Sequence, residues 1–180
     1  MRYFIVLLTL IFNLNSFSQN YSNIYSSVFK DIVLKDYKNE KNVKHTFIIL
    51  EKPNYLIDIK EEDYERFKSF FKNLDKYMFL DFIKENKKSL DTRYIEELDY
   101  NIIFLDKKGD YDREQLLAKY PDWNLYLLEF SNIGFNKEKN QAMMYYGFES
   151  MSVVGGGVYL IYKKKGKKWK LRKIISSWSG

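Results

Sequence analysis

The sequence predicts an α+β fold, with N-terminal helices packed on one face of an antiparallel sheet that ends in a four-strand C-terminal meander. Three observations carry this. Apolar stripes of helical period gather in the first two-thirds, and strand-like runs with short connections fill the last third. An aromatic content of 18% with only two prolines supplies a core large enough for a folded domain. A length of 180 residues allows one domain and excludes a large multidomain enzyme.

Taken in order, Phe4 to Leu14 is almost unbroken hydrophobic, behind Arg2 and ahead of Ser16-Phe17-Ser18. That layout predicts a signal peptide over residues 1–18, too short for a bilayer span, and an exported mature domain over residues 19–180. Asn20 to Lys38 reads as a helix, with Ile24, Val28 and Ile32 flanked by Tyr25, Phe29 and Val33. Val43 to Leu50 reads as a strand, closed by a turn at Pro53-Asn54. Glu61 to Asn73 is a second helix whose first turn is acidic, and Met78 to Lys87 is a third beyond a break near Asp75. Ser89 to Leu98 fits helix or loop, Asn101 to Leu105 is a short strand, and Asp112 to Lys119 is a helix stopped by Pro121. Leu125–Ser131, Gln141–Phe148, Gly157–Lys164 and Lys168–Trp178 then form the meander, because short connections favour antiparallel neighbours.

The chemistry the chain excludes is clearer than the chemistry it performs. No cysteine means no disulfide, no thiolate metal site and no cysteine nucleophile. One histidine, His45, excludes any site needing two imidazoles and reads as structural or exposed. Gly155-Gly156-Gly157 lead into a strand with no helix after it, so they suit a bulge or close backbone approach rather than a phosphate loop. Asp110, Asp112 and Glu114 lack the glycine position and the terminal bidentate acid of a calcium loop and read as a turn with an acidic helix start. The Ser-x-x-Lys matches at Ser27 and Ser69 lack the companion motifs of serine acyl-transfer enzymes. No cofactor, metal site or catalytic residue is therefore assigned.

Charge is concentrated in one place. Lys163 to Lys173 holds eight basic residues and no acid, more than the whole formal charge of +6, so the remainder is net acidic. Gly166 suits a tight hairpin turn there, with Trp169 and Leu171 alternating with Lys170 and Arg172. The bland reading is a solvated hairpin tip; the functional one is an anion-binding patch with Trp169 available for stacking. The tyrosines and phenylalanines read mostly as core, although Tyr145-Tyr146 must point to opposite faces of a strand.

Ala118-Lys119-Tyr120-Pro121, Phe130-Ser131-Asn132-Ile133-Gly134-Phe135-Asn136, Gln141-Ala142, Gly155-Gly156-Gly157-Val158-Tyr159 and Gly166-Lys167-Lys168-Trp169-Lys170 together resemble an uncharacterised family of exported bacterial proteins, a domain of unknown function. The resemblance covers Tyr111 to Trp178 and implies a Lys-Tyr-Pro helix end, a Ser-x-x-Gly-Phe-Asn turn, glycines at a strand start and a Gly-Lys-Trp-Lys hairpin. It also implies a cysteine pair just before the glycines, where this chain has Ser150 and Val154, and it supplies no activity.

The sequence is accordingly read as an exported, non-catalytic binding or accessory module of the cell envelope, leaning away from an enzyme. Its expected partner is an envelope protein or glycan, with no nucleic acid and no transmembrane segment after cleavage. Trp123, Asn136, Tyr146 and Lys168 are the candidate binding surface, as turn or strand positions able to stack or hydrogen-bond. Two alternatives stay open: a small hydrolase or lyase using Asp, Glu and Tyr in a helix–sheet pocket, and an anionic-surface binder acting through Lys163–Lys173.

Overall fold

The computed structural model describes residues 20–37, 45–50, 59–96, 98, 100–105, 113–119, 124–150 and 155–179. The N-terminal apolar segment, the Pro53-Asn54 turn, Asp110, Asp112, Pro121, Trp123 and Val154 lie outside the described residues. The elements are α1 (20–37), β1 (His45–Leu50), α2 (Tyr64–Phe70), α3 (Lys76–Glu85), α4 (Arg93–Glu96), β2 (Ile102–Leu105), α5 (Arg113–Lys119), β3 (Asn124–Phe130), β4 (Gly134–Phe135), β5 (Gln141–Ser150), β6 (Gly155–Lys165) and β7 (Lys168–Ser179). Each predicted helix and strand among them is present within a few residues, and the fold class is α+β. Only β4 was not foreseen; two residues are too few to leave a periodic signal.

The sheet runs β2-β1-β3-β5-β6-β7, with β4 paired on β5. The meander β3-β5-β6-β7 is antiparallel throughout, but β1 lies parallel to both β2 and β3. The sheet is therefore mixed rather than antiparallel. A strand separated from its neighbour by intervening helices returns in the same direction, as β2 does after α2, α3 and α4.

Helices also cover both sheet faces, not one. Along β5, Ala142, Met144 and Tyr146 pack under α1 with Ile24, Tyr25, Val28 and Phe29, while Met143 and Tyr145 pack under α2 and α3 with Phe67, Phe79 and Phe82. A strand whose residues are apolar on both sides needs two covering layers, and the unbroken run Ala-Met-Met-Tyr-Tyr carries that signal. In α1 the turn Phe29–Val33 is wound as π-helix. The extra residue in that turn rotates the apolar stripe so that Val33 is buried and Ile32 only half-buried. Phe29 anchors this layer, stacked on Tyr100 at 5.2 Å and Phe130 at 5.5 Å and edge-on to Phe47 at 5.5 Å.

The two layers meet through Ser131–Asn136. Asn132 Nδ2 donates to the carbonyls of Glu85 (3.0 Å), Lys88 (3.3 Å) and Ser89 (3.1 Å), capping the C-terminal end of α3. Its backbone N–H donates to Asn86 Oδ1 at 2.7 Å. The other end of α3 is capped by Asp75, whose carboxylate accepts from Met78 N–H at 2.8 Å. Ser131 Oγ accepts from Tyr145 N–H at 2.7 Å, and Ser131 O accepts from the Tyr25 hydroxyl at 3.0 Å, so one residue ties β5 to α1. At Gly134, β4 comes so close to α3 that a Cβ would stand 2.3 Å from Phe82 N.

Gly134→Ala is expected to destabilise the fold by about 3 kcal/mol, because the clash is with backbone that cannot repack; urea unfolding measures it. Burial raises the hydroxyls of Tyr25 and Tyr162 above their ordinary value of 10.0. With the folded value raised, stability is full below about pH 10 and falls as pH climbs past it, since there only the unfolded chain loses the proton. Urea midpoints should be level to about pH 9.5 and then decline. Tyr25→Phe should cost about 1 kcal/mol, whereas Tyr162→Phe, whose hydroxyl has no hydrogen-bond partner among the described residues, should cost about 0.

Candidate functional site

Of the four candidate surface residues, Tyr146, Asn136 and Lys168 are among the described residues, and the first two are buried. Tyr146 is buried, its ring 5.4 Å from Phe130 and 6.0 Å from Phe148, so of the Tyr145-Tyr146 pair neither reaches solvent. The reason is the second helical layer, which closes the face expected to be open. Asn136 is buried as well: its Oδ1 accepts from the N–H groups of Asn140 (3.0 Å) and Gln141 (2.9 Å), and its Nδ2 donates to Glu138 and Asn140. It builds the β4–β5 turn and offers nothing to a ligand. Trp123 lies outside the described residues. Lys168 is exposed and belongs to the surface described next.

The β6–β7 hairpin turns at Gly166, whose φ of 60° is the left-handed value a two-residue type II′ loop needs at its first position. Its cross-strand register sorts the lysines. Lys164 pairs with Trp169, and both turn to the α1 face, where Lys164 Nζ (2.9 Å) and Trp169 Nε1 (3.3 Å) donate to Asn20 Oδ1. Trp169 is thus a buried anchor, not a stacking platform. Lys163 pairs with Lys170, and Lys165 with Lys168, which stations these lysines together on the opposite face, the one covered further along by α2 and α3. Like charges directly opposite one another destabilise a sheet. Among the described residues no carboxylate pairs with any of them.

This face continues into a cleft of about 230 Å³ lined by Lys72, Asn73, Gln141, Lys163, Arg172 and Lys173 over an apolar floor that includes Phe71, Met78 and Ile161. Local structure explains the convergence. Asn73 sits at φ 68° and turns the chain back after α2, presenting Lys72. A β-bulge leaves Arg172 unpaired between Leu171 and Lys173. The bulge reverses the alternation of β7, so Leu171 faces α1 while Lys173 and Ile175 face α2. Lys173 Nζ donates to Phe70 O and lies 5.6 Å from the centre of the Phe71 ring. A second cleft, of about 290 Å³, shares Phe71 and is lined by Arg66, Phe67, Phe70, Tyr159, Ile175, Ser176 and Ser177. Burial raises the Tyr159 hydroxyl, with a hydrogen bond from Ser177 opposing the shift.

Among the described residues no carboxylate lines either cleft. Ser27 and Ser69, in the Ser-x-x-Lys matches, donate back to the carbonyls of Asn23 (2.9 Å) and Arg66 (2.7 Å) within their own helices. The arrangement sets cationic groups beside apolar surface, and the described lining residues provide no acid–base pair. Lys72 and Phe70 were missed by sequence reasoning. A signal existed: adjacent Phe70 and Phe71 on a helix cannot both be buried on a narrow stripe, and Phe70 is 56% exposed while Phe71 is 2%.

Among the described residues no helix is long and apolar enough to cross a membrane. No family model matches the chain, and no curated protein matches it. Among solved structures, the hypothetical protein CT253 from Chlamydia trachomatis aligns at 9% identity over 76% of this chain and 73% of that one, with a TM-score of 0.17. A likeness at that level carries no information about fold or function here.

Asn136→Ala is expected to lower stability by about 2 kcal/mol, since two backbone donors lose their acceptor. It should leave anion binding unchanged, as a paired urea titration and polyphosphate titration would establish.

Proposed function

We propose that this protein is an exported, non-catalytic binding module that holds an acidic ligand on the basic face of its C-terminal hairpin. The observation that carries the reading is the pairing of Lys163 with Lys170 and Lys165 with Lys168, beside Lys72, Arg172 and Lys173, with no acid among the described residues that line the cleft they border. A surface that sets like charges opposite one another gives up local stability that an anionic ligand restores. Export is supported by the basic, apolar and small-residue pattern of residues 1–18 and by the resemblance of the C-terminal motifs to exported proteins of unknown function. An envelope protein or acidic glycan is the partner class that fits both features.

Binding of inorganic polyphosphate and of a heparin oligosaccharide to the full chain, followed by calorimetry, tests the reading. Affinity should fall about tenfold between about 50 and 200 mM salt, as screening by small ions requires. Lys72→Glu with Arg172→Glu should weaken both ligands at least about tenfold. Lys137→Glu, whose native ammonium lies over the Tyr77 ring and is among the lining of neither cleft, should change neither. Absence of binding by either polyanion at low salt would sink the proposal.

A further inference from the structure

We propose that the outer edge of β7 takes up an extended acidic polypeptide segment as an added strand, an inference that rests on the basic face being the ligand surface. β7 stands at the end of the sheet, and among the described residues no strand pairs with its outer side. Between its two bulges, Lys173–Ser176 keeps unbroken register with Val158–Ile161, so this stretch has regular strand geometry. Alternate backbone N–H and C=O groups of such a strand point away from its partner and can pair with an incoming chain.

Natural edges are blunted by lysines and bulges. In β7 those devices lie mostly at the hairpin end and at the two bulges, and the regular stretch between them is left with apolar neighbours. The exposed large hydrophobics among the described residues are Phe70, Tyr77 and Ile174, and two of these flank this edge, Ile174 at 50% exposure on one face and Phe70 at 56% on the other. The bond from Lys173 to Phe70 O holds the end of α2 beside the strand.

Both clefts open along the same stretch. The cationic one takes Arg172 and Lys173 from β7, and the aromatic one takes Ile175, Ser176 and Ser177. Each is smaller than the roughly 300–1,000 Å³ of a usual small-molecule site, and suits a single side chain. Lys173 and Ile175 are two residues apart on the α2 face, roughly 7 Å along the strand. An added strand with an acidic residue at one position and an aromatic or aliphatic residue two further on would put one side chain in each cleft. Main-chain pairing would supply affinity and the two clefts specificity.

The charge decides the occupant. A second copy of β7 would bring its own Lys170, Arg172 and Lys173 against this basic edge. A phosphate polymer or an anionic membrane would use the cations while leaving the backbone groups and Ile174 unused. An acidic extended peptide satisfies all three.

The test uses the full chain and a blocked peptide, Thr-Val-Asp-Thr-Phe-Val-Thr, with two analogues N-methylated at one or the other set of alternate amides. One methylated set should bind at least tenfold more weakly than the parent and the other should bind nearly as well. Hydrogen exchange at Lys173–Ser176 should slow on adding the parent peptide. Lys173→Glu should lose at least tenfold for the parent and recover it for the peptide carrying Lys in place of Asp. Equal binding by both methylated peptides would overturn strand addition, as would concentration-dependent self-association of the chain through β7. Polyphosphate binding without peptide binding would overturn it too, and leave the anion-binding reading standing. If neither binds, the basic-face reading itself fails.

Discussion

The side chain of Asn132 and the missing side chain of Gly134 hold the molecule together. Asn132 gathers the carbonyls that α3 leaves unpaired at its end, and two residues later Gly134 lets β4 touch the backbone of Phe82. Phe135 N–H then donates to Asp81 Oδ2 at 2.9 Å, a third tie to the same helix. Because Ser131, immediately before, bonds both β5 and Tyr25 of α1, a single short connection fastens a helix on each side of the sheet. An isolated helix of α3's length is marginal in water, so its persistence depends on these caps and on the buried Met78, Phe79, Phe82 and Ile83.

With both faces covered, the sheet has little apolar surface left for function, and the remaining exposed edge is where charge gathers. Burial of Trp169 against Phe135, with ring centres 5.8 Å apart, fixes the hairpin on the α1 side. That attachment offsets the repulsion among the lysines on the other side, of order 0.2–1 kcal/mol per opposed pair. The hairpin thereby separates two jobs by strand parity: alternate residues anchor it, and those between carry its charge. The bulge at Arg172 breaks that alternation once and brings Lys173 to the cleft beside Phe71.

Much of this was legible in the residues themselves. Helical and strand periods located the elements, Gly166 located the hairpin turn, and the basic run located the charge. Asn136 and Tyr146 misled, because a polar turn residue and a strand aromatic look alike whether they face water or neighbours. Only the contacts of the β4–β5 turn and the layer of α1 distinguish the two cases.

The sequence by itself determined the fold class, the meander, the absence of cysteine chemistry and the segregation of positive charge, since these follow from local period, local turn chemistry and composition. The tertiary structure decided that β1 is parallel to its neighbours, that helices cover two faces, and that Lys72 joins Lys163, Arg172 and Lys173 around one cleft. Those outcomes depend on contacts between residues far apart in the chain and on a one-residue bulge that reverses which way a strand's side chains point; of them, only the two-sided burial of β5 leaves a local trace, in the apolar run Ala142–Tyr146.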